Sequence, residues 1–206
     1  AHTYNPGRAF DAGEHRGFFL WQSEASGYYR AYFDETDFNL GIITLRTGPA
    51  WVVPGHWRAA LGLQADQIWL GRDSLALFST LNPSFSYEVS RDTEITVDAS
   101  FSYRNYWRSI DTGRDGWYKV FDVSATHYLA NRKFALQGGA GYFDLSADDS
   151  RFSTHGPEVF GGVVAEAWTN GRVYARAAYR HYDYEGVEPV FNVARNEDEF
   201  RTTLGF

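Results

Sequence analysis

The sequence predicts an all-β protein, a transmembrane antiparallel up-and-down β-barrel of about ten strands. Apolar and polar residues alternate with a period of two along most of the chain, which is the pattern of strands with one apolar face. The alternating segments run for roughly 13 to 16 residues, whereas strands of soluble domains centre on ~5–6. Large aromatic residues lie at the ends of the apolar faces, where membrane strands cross the headgroup layers.

The composition excludes several classes of protein. Of 206 residues, 44% are hydrophobic, yet the mean hydropathy is −0.43, so apolar residues are dispersed among polar ones. No stretch approaches the ~18 consecutive apolar residues of a spanning helix. The chain has no Cys, and its net charge of −7 comes without any basic stripe. We therefore expect no disulfide, no Cys-ligated metal and no nucleic-acid partner.

Ten segments are predicted as strands, and the alternation in the fifth is the clearest. There Ile95, Val97 and Phe101 lie on one face, while Asp98 and Arg104 lie on the other. Gly48-Pro49 interrupts the second segment. A soluble lipocalin-like barrel is the alternative, and it would place large apolar groups inside and charges outside. The predicted strands are 17–33, 38–53, 57–70, 75–90, 93–107, 117–130, 133–147, 158–169, 172–185 and 197–206.

The connections predict which end of each strand faces the periplasm. Short turn signals occur at 54–56, 91–92, 131–132 and 170–171, and the last is an Asn-Gly hairpin dipeptide. Most links between them, at 34–37, 71–74, 108–117, 148–157 and 186–196, are longer and richer in charge. Short periplasmic turns and long outer loops are the outer-membrane plan. Residues 1–206 form one barrel domain in this interpretation, residues 1–16 form an N-terminal periplasmic segment, and Ala1 suits signal-peptidase cleavage.

The polar faces predict a narrow lumen that is largely plugged by side chains. A barrel of about eight strands is just filled by its own side chains, whereas open porins use ~16–18 strands. Equal numbers of acids and bases are expected to pair across strands, with Arg58 meeting Glu88 or Asp98, and to keep conductance low. The candidate lumen residues are Glu24, Arg30, Arg58, Asp66, Glu88, Asp98, Arg104, Asp122, Glu166, Arg176, Arg180 and Arg201. The candidate membrane-interface aromatics are Trp57, Trp69, Tyr87, Trp107, Trp117, Trp168 and Phe206.

Five glycines cluster on two adjacent predicted strands, at 138, 139, 141, 161 and 162. They relieve packing where barrel strands bend, or they form a weakly sealed stretch of wall that a lipid or client segment could approach. The sequence alone leaves both interpretations open.

Enzyme chemistry has weak support, so no catalytic residue, metal site or cofactor is predicted. None of the six His is spaced for metal binding or lies near a Ser nucleophile. His181 and Asp183 share one face near a loop, which is similar to the acid–His pairing of omptin proteases. Asp148-Asp149 or the pair of Asp34 and Asp37 would then supply the second acidic pair. Interfacial polar residues are the plainer interpretation, and His127 on an apolar face fits it too.

The end of the chain resembles known outer-membrane barrels. Phe200, Thr202, Leu204 and Phe206 alternate, and an aromatic carboxyl terminus is similar to the recognition signal of the outer-membrane assembly machinery. The run 179–186, then 195–201 and Leu204-Gly205-Phe206, resembles the closing hairpin of surface lipoprotein assembly modifier barrels and of barrels behind tetratricopeptide-repeat domains. This resemblance implies that the chain moves lipoproteins or other secreted polymers to the cell surface.

Three functions remain open at this point. The first is a non-catalytic transport or assembly barrel of the bacterial outer membrane that handles a secreted or surface-bound client. The second is a structural barrel that binds a partner through its loops or periplasmic contacts. The third is a hydrolase of omptin type at the rim. The expected surroundings are outer-membrane lipids and lipopolysaccharide, with a periplasmic or envelope protein as a possible partner.

Overall fold

The computed structural model describes residues 2–4, 9–12, 15–108, 110–168, 171–188 and 192–206. Twelve strands are found in these ranges, two of them short. They are β1 (His2–Tyr4), β2 (Ala9–Ala12), β3 (His15–Arg30), β4 (Leu40–Val53), β5 (Trp57–Leu70), β6 (Asp73–Ser90), β7 (Thr93–Tyr106), β8 (Gly116–Leu129), β9 (Phe134–Ala147), β10 (Thr154–Trp168), β11 (Gly171–Glu188) and β12 (Val193–Gly205).

The long strands β3 to β12 form one sheet in which each strand pairs antiparallel with the next along the chain. The predicted all-β, up-and-down arrangement of ten strands is therefore confirmed. Most boundaries agree with the prediction within two or three residues. The exceptions are β10 and β12, which begin four residues earlier than predicted.

The two faces of the sheet differ sharply in exposure. In β8, the odd-numbered residues from Trp117 to Leu129 are all exposed, and the even-numbered residues from Gly116 to Tyr128 are buried or half-buried. Residues that are paired across strands lie on the same face, so the register assigns the faces of the neighbouring strands as well. Asp122 pairs with Asp98 on β7 and with Gly141 on β9. We call the face of Asp122 the inner face and the face of Trp117 the outer face.

Contacts on the inner face show that the sheet is strongly curved. Phe143 on β9 and Tyr182 on β11 lie on strands separated by β10, yet their ring centroids are 4.9 Å apart. Gly156 on β10 lies beside Phe143 and has no side chain to separate the two rings. On the other half, side chains from six consecutive strands, β3 to β8, line a single cavity. The inner face is therefore concave.

The sheet is not closed in the described chain. β12 pairs with β11 alone, and the free side of β3 pairs with β1 and β2 instead of β12. β1 pairs with Trp21–Ser23, and β2 pairs with His15–Phe18 in a hairpin-like arrangement. Part of the segment that was expected to be periplasmic is thus an extension of the sheet along the β3 edge.

The connections alternate in length almost as predicted. Tight turns join β4 to β5, β6 to β7 and β8 to β9, while longer links join β3 to β4, β7 to β8 and β9 to β10. Gly71-Arg72 is one exception, because β5 and β6 are joined there by a two-residue turn with Gly71 at φ +63°. The predicted link 186–196 is another, because β11 ends at Glu188 and β12 begins at Val193. Asn170 of the predicted Asn-Gly hairpin lies outside the described residues.

Helical structure in the described chain is limited to three short 3-10 turns in the longer links, Thr36–Phe38, Thr112–Arg114 and Ser150–Phe152. Among the described residues, no helix has the length and apolar character needed to cross a membrane.

Candidate functional site

The polar inner face of the sheet is the candidate site. All twelve residues proposed for the lumen occupy inner-face positions of the register. They are spread over eight strands from β3 to β12, so the curvature of the sheet turns them toward a common interior. Their surroundings differ, because side chains fill one half of the interior and the other half contains a cavity.

The filled half is organised around Glu158 on β10, whose side chain is 8% exposed. It accepts a 2.5 Å hydrogen bond from Arg180 Nε on β11, and Arg176 Nη2 lies 3.7 Å from its other oxygen. On the far side of β11, Glu199 accepts from Tyr182 at 2.7 Å and from Arg201 at 2.6 Å. Arginines of the predicted list are thus paired with two acids, Glu158 and Glu199, that were not among the predicted lumen residues.

Glu158 was predicted only as the first residue of the strand 158–169, after a segment to Pro157 that was interpreted as a loop, and it was left off the list of lumen residues. The structure continues β10 through Pro157, which has a register partner on β9 but none on β11. Proline has no N–H to donate, so it is tolerated where a ladder bond is missing. The strand therefore begins at Thr154, and Glu158 lies inside it.

Arginine and aromatic rings fill the loop end of the interior. The Arg104 guanidinium carbon lies 4.0 Å from the ring centre of Tyr118 and 5.2 Å from that of Phe78. Arg180 is 5.3 Å from the ring centre of Phe143. These contacts are cation–π interactions, which strengthen when the cation is desolvated. Arg104 has no carboxylate partner among the described residues, and its buried Nε has no hydrogen-bond partner there either.

Inner-face glycines make room for these bulky groups. A Cβ on Gly139 would lie 2.5 Å from the Phe160 ring, and one on Gly141 would lie 1.9 Å from a carboxylate oxygen of Asp122. Gly138 and Gly161 face outward, where a Cβ would meet nothing closer than 3.7 Å. The packing interpretation of the glycine cluster therefore holds for the inner positions, and the outer positions leave a shallow surface.

The hollow half contains a cavity of about 470 Å³ bounded by β3 to β8. Small residues make the space, and charged or amide side chains project from its walls. None of Arg46, Asp98 or Asp122 forms an ion pair or side-chain hydrogen bond with another described residue. The lining includes Gln22, Glu24, Arg46, Arg58, Ala60, Gly62, Asn82, Ser84, Ser86, Ser100, Asp98 and Asp122.

Arg58 has a different partner from the one predicted. It donates from Nη2 to Gln22 Oε1 at 3.1 Å, and it forms no ion pair with Glu88 or Asp98 among the described residues. The register explains this, since Arg58 lies directly opposite Ser86, and Glu88 lies opposite Glu94. Arg46, which was not among the predicted lumen residues, lies beside Gly62 in the same cavity.

The outer face exposes large apolar side chains along most of its length. Leu63 is 53% exposed, Phe121 53% and Val159 52%. The aromatics proposed for the membrane interface lie at strand ends: Trp57 and Tyr87 pair at the turn end, and Trp69 and Trp117 lie at the loop end. Trp107 follows β7, Trp168 ends β10 beside Gly171, and Phe206 follows β12 at 98% exposure.

The outer face becomes polar near the loop ends of β8 to β12. Lys119 Nζ lies 3.3 Å from Asp144, and His155 Nδ1 lies 3.8 Å from Glu185. His181 bridges two acids, with Nδ1 2.7 Å from Asp198 and Nε2 3.3 Å from Asp183. His181 is thus held by carboxylates on the outer side of the sheet.

Asp149, a possible second acid of the omptin comparison, is bound by Arg151 in the link after β9. No group of three or more potential metal ligands occurs in the described part of the chain.

Comparison of the chain with models of protein families, with curated proteins and with solved structures gives no match in any of the three. The case for a function therefore depends on the two faces of the sheet.

Proposed function

We propose that the chain is a non-catalytic transmembrane β-barrel of the bacterial outer membrane that carries a polar client through or along its hollow half. One observation carries this proposal: large apolar side chains are exposed on the outer face, while charged side chains turn into the concave inner face. In water this arrangement is unfavourable, because each exposed apolar side chain forfeits part of the ~1.5–3 kcal/mol that full burial would give. In a bilayer it is the favourable one.

The spacing of the aromatics supports a membrane-spanning outer face. Trp57 and Trp69 are at opposite ends of β5 on this face, twelve residues apart. At ~3.3 Å per residue they are separated by about 40 Å along the strand. A strand tilt of about 40° reduces this to about 30 Å along the membrane normal, the thickness of the hydrocarbon core. Between them the outer positions of β5 are Ala59, Leu61, Leu63, Ala65 and Gln67.

Closure of the barrel by pairing of β3 with β12 is part of the proposal. The two strands are antiparallel in an up-and-down sheet of ten. β12 has a free edge, and the edge of β3 away from β4 is taken in part by β1 and β2. Unpaired backbone groups in hydrocarbon cost several kcal/mol each, so a bilayer strongly favours closure. On the edge of β3 that faces away from β4, residues Glu24 to Arg30 pair with neither β1 nor β2. This part of the edge is therefore available to β12.

The hollow half supports a transport or assembly role, since a cavity lined by polar groups can receive a polar client. The filled half and the ion-paired links favour the second candidate, a structural barrel that binds an envelope partner through its loops. In the link before β8, Asp111 is bridged by Arg108 and Arg114 at 3.7 and 3.6 Å. In a bilayer, lipids and lipopolysaccharide would surround the outer face in both cases.

A pair of substitutions tests the membrane assignment. Val123 is 40% exposed at the middle of β8 on the outer face, so Val123→Arg would be nearly neutral in a water-soluble protein. Facing lipid, the same change is expected to cost about 2–4 kcal/mol of folding free energy. Ser146→Arg, outward at the loop end of β9, is the matched control and is expected to change little. Equal urea midpoints of the two variants in lipid vesicles would contradict the proposal.

A further inference from the structure

The hollow half of the interior contains charged groups of both signs that lack partners of opposite charge. Arg58 is bound to the neutral amide of Gln22. Glu24 lies opposite Arg46 in the ladder but forms no ion pair with it. In the filled half of the same interior, by contrast, Glu158 and Glu199 are both paired with arginines. The absence of pairs around the cavity therefore sets this half apart.

The positive and negative charges also lie on different walls of the cavity. Arg46 and Arg58 project from β4 and β5, and Asp98 and Asp122 project from β7 and β8. Asp98 and Asp122 lie directly opposite each other across the ladder, an arrangement of like charges that destabilises a sheet. One carboxylate oxygen of Asp122 is buried with no hydrogen-bond partner among the described residues. That oxygen lies against Gly141 on the side of β9, away from Asp98. A cationic group between the two carboxylates would relieve the repulsion between them.

We propose that this cavity binds a short zwitterionic chain such as a tripeptide, its ammonium group at Asp98 and Asp122 and its carboxylate at Arg46 and Arg58. The size agrees with this ligand class: three strand spacings separate β4 from β7, and likewise β5 from β8, which is about 14 Å along the curved wall. An extended tripeptide spans about 10 Å. Asn82, Ser84 and Ser86 line the cavity between the two walls and can hydrogen-bond to the peptide groups.

This inference depends on the proposed function, because it assigns a client class to the hollow half of the proposed barrel. The experiment is therefore made in detergent micelles, where the folded chain can be titrated without insertion into a bilayer. Triglycine is the probe, and acetylated, amidated triglycine is the matched ligand without charges. Calorimetry of the wild-type chain is expected to show saturable binding of triglycine and at least tenfold weaker binding of the blocked peptide.

Charge removal on each wall extends the test. The double variants Arg46→Gln/Arg58→Gln and Asp98→Asn/Asp122→Asn are each expected to weaken triglycine binding at least tenfold, and Arg46→Lys/Arg58→Lys is expected to restore most of it. Lys119→Gln, which removes a charge from the outer face, is the control and is expected to leave binding unchanged.

Three results would overturn the inference: no saturable binding, equal binding of free and blocked triglycine, or equal binding by the wild type and both double variants. The comparison of the two peptides needs only the wild-type chain, so it decides the question even where a variant fails to fold. Failure to insert into vesicles, with triglycine binding intact in micelles, would contradict the proposed function and leave the binding site standing.

Discussion

Removing the charge of Glu158 tests whether the filled half of the interior is held together by its buried ion pair. Glu158→Gln keeps the size of the side chain and one carbonyl acceptor, but it leaves Arg180 and Arg176 without a negative partner. Loss of one member of a dry buried pair costs about 3–5 kcal/mol. The side chains of Arg180 and Arg176 are 24% and 50% exposed, so water screens part of this, and we expect a loss of about 2–3 kcal/mol.

Urea unfolding in lipid vesicles measures this loss. The second variant is Arg180→Met, and the double variant completes a thermodynamic cycle with an expected coupling of about 1.5–3 kcal/mol between the two residues. Glu185→Gln is the control, because Glu185 is 52% exposed and lies 3.8 Å from His155. It is expected to change stability by no more than about 0.5 kcal/mol. A coupling below about 0.5 kcal/mol between Glu158 and Arg180 would refute the reasoning.

Three further predictions follow from particular contacts. Gly141→Ala is expected to cost about 1–3 kcal/mol, because its Cβ would lie 2.8 Å from the Phe121 carbonyl as well as against Asp122; Gly138→Ala, outward and uncrowded, is the control and should be neutral or slightly stabilising in the same urea assay. Arg104→Met is expected to cost less than Arg180→Met in that assay, because Arg104 has aromatic but no carboxylate contacts and its loss leaves no acid unpaired; the opposite order would contradict this. Hydrogen bonds from Arg151 hold the pKa of Asp149 below its ordinary value, so the contact is favourable at neutral pH and is lost as pH falls through that lowered pKa. A carbon-detected NMR titration should show a higher pKa for Asp149 in Arg151→Gln than in the wild type, and equal values would contradict the assignment.

Local pattern was enough to predict the ten long strands of this chain, though not β1 and β2. In β8, outward residues such as Trp117 and Phe121 alternate with inward residues such as Asp122. This alternation predicted both the strand and its two faces. That information is local, because a residue's face in a strand depends only on whether its position is odd or even. The inner-face positions of the twelve lumen candidates could therefore be predicted from the sequence.

The pairing of those residues could not be predicted, because partners in a sheet are set by the register between strands. Glu158 stood at the very start of the predicted strand 158–169 and was left off the list of lumen residues, and Arg58 was assigned acids that lie in other rows of the ladder. Closure was likewise beyond local pattern. Closure requires a free edge of β3 that can pair with β12, and in the structure β1 and β2 occupy part of that edge.

The most direct test of the account is a labelling scan along β8. The chain has no Cys, so single cysteines can be placed at each position from 117 to 129 and carry a spin label. After reconstitution in vesicles, the labels' accessibility to oxygen, which dissolves in lipid, is compared with accessibility to a water-soluble nickel complex. The account predicts that the odd positions 119 to 127 favour oxygen and that the even positions favour the nickel complex or neither. A reversed alternation, or oxygen preference at no position, would contradict a membrane-facing outer surface.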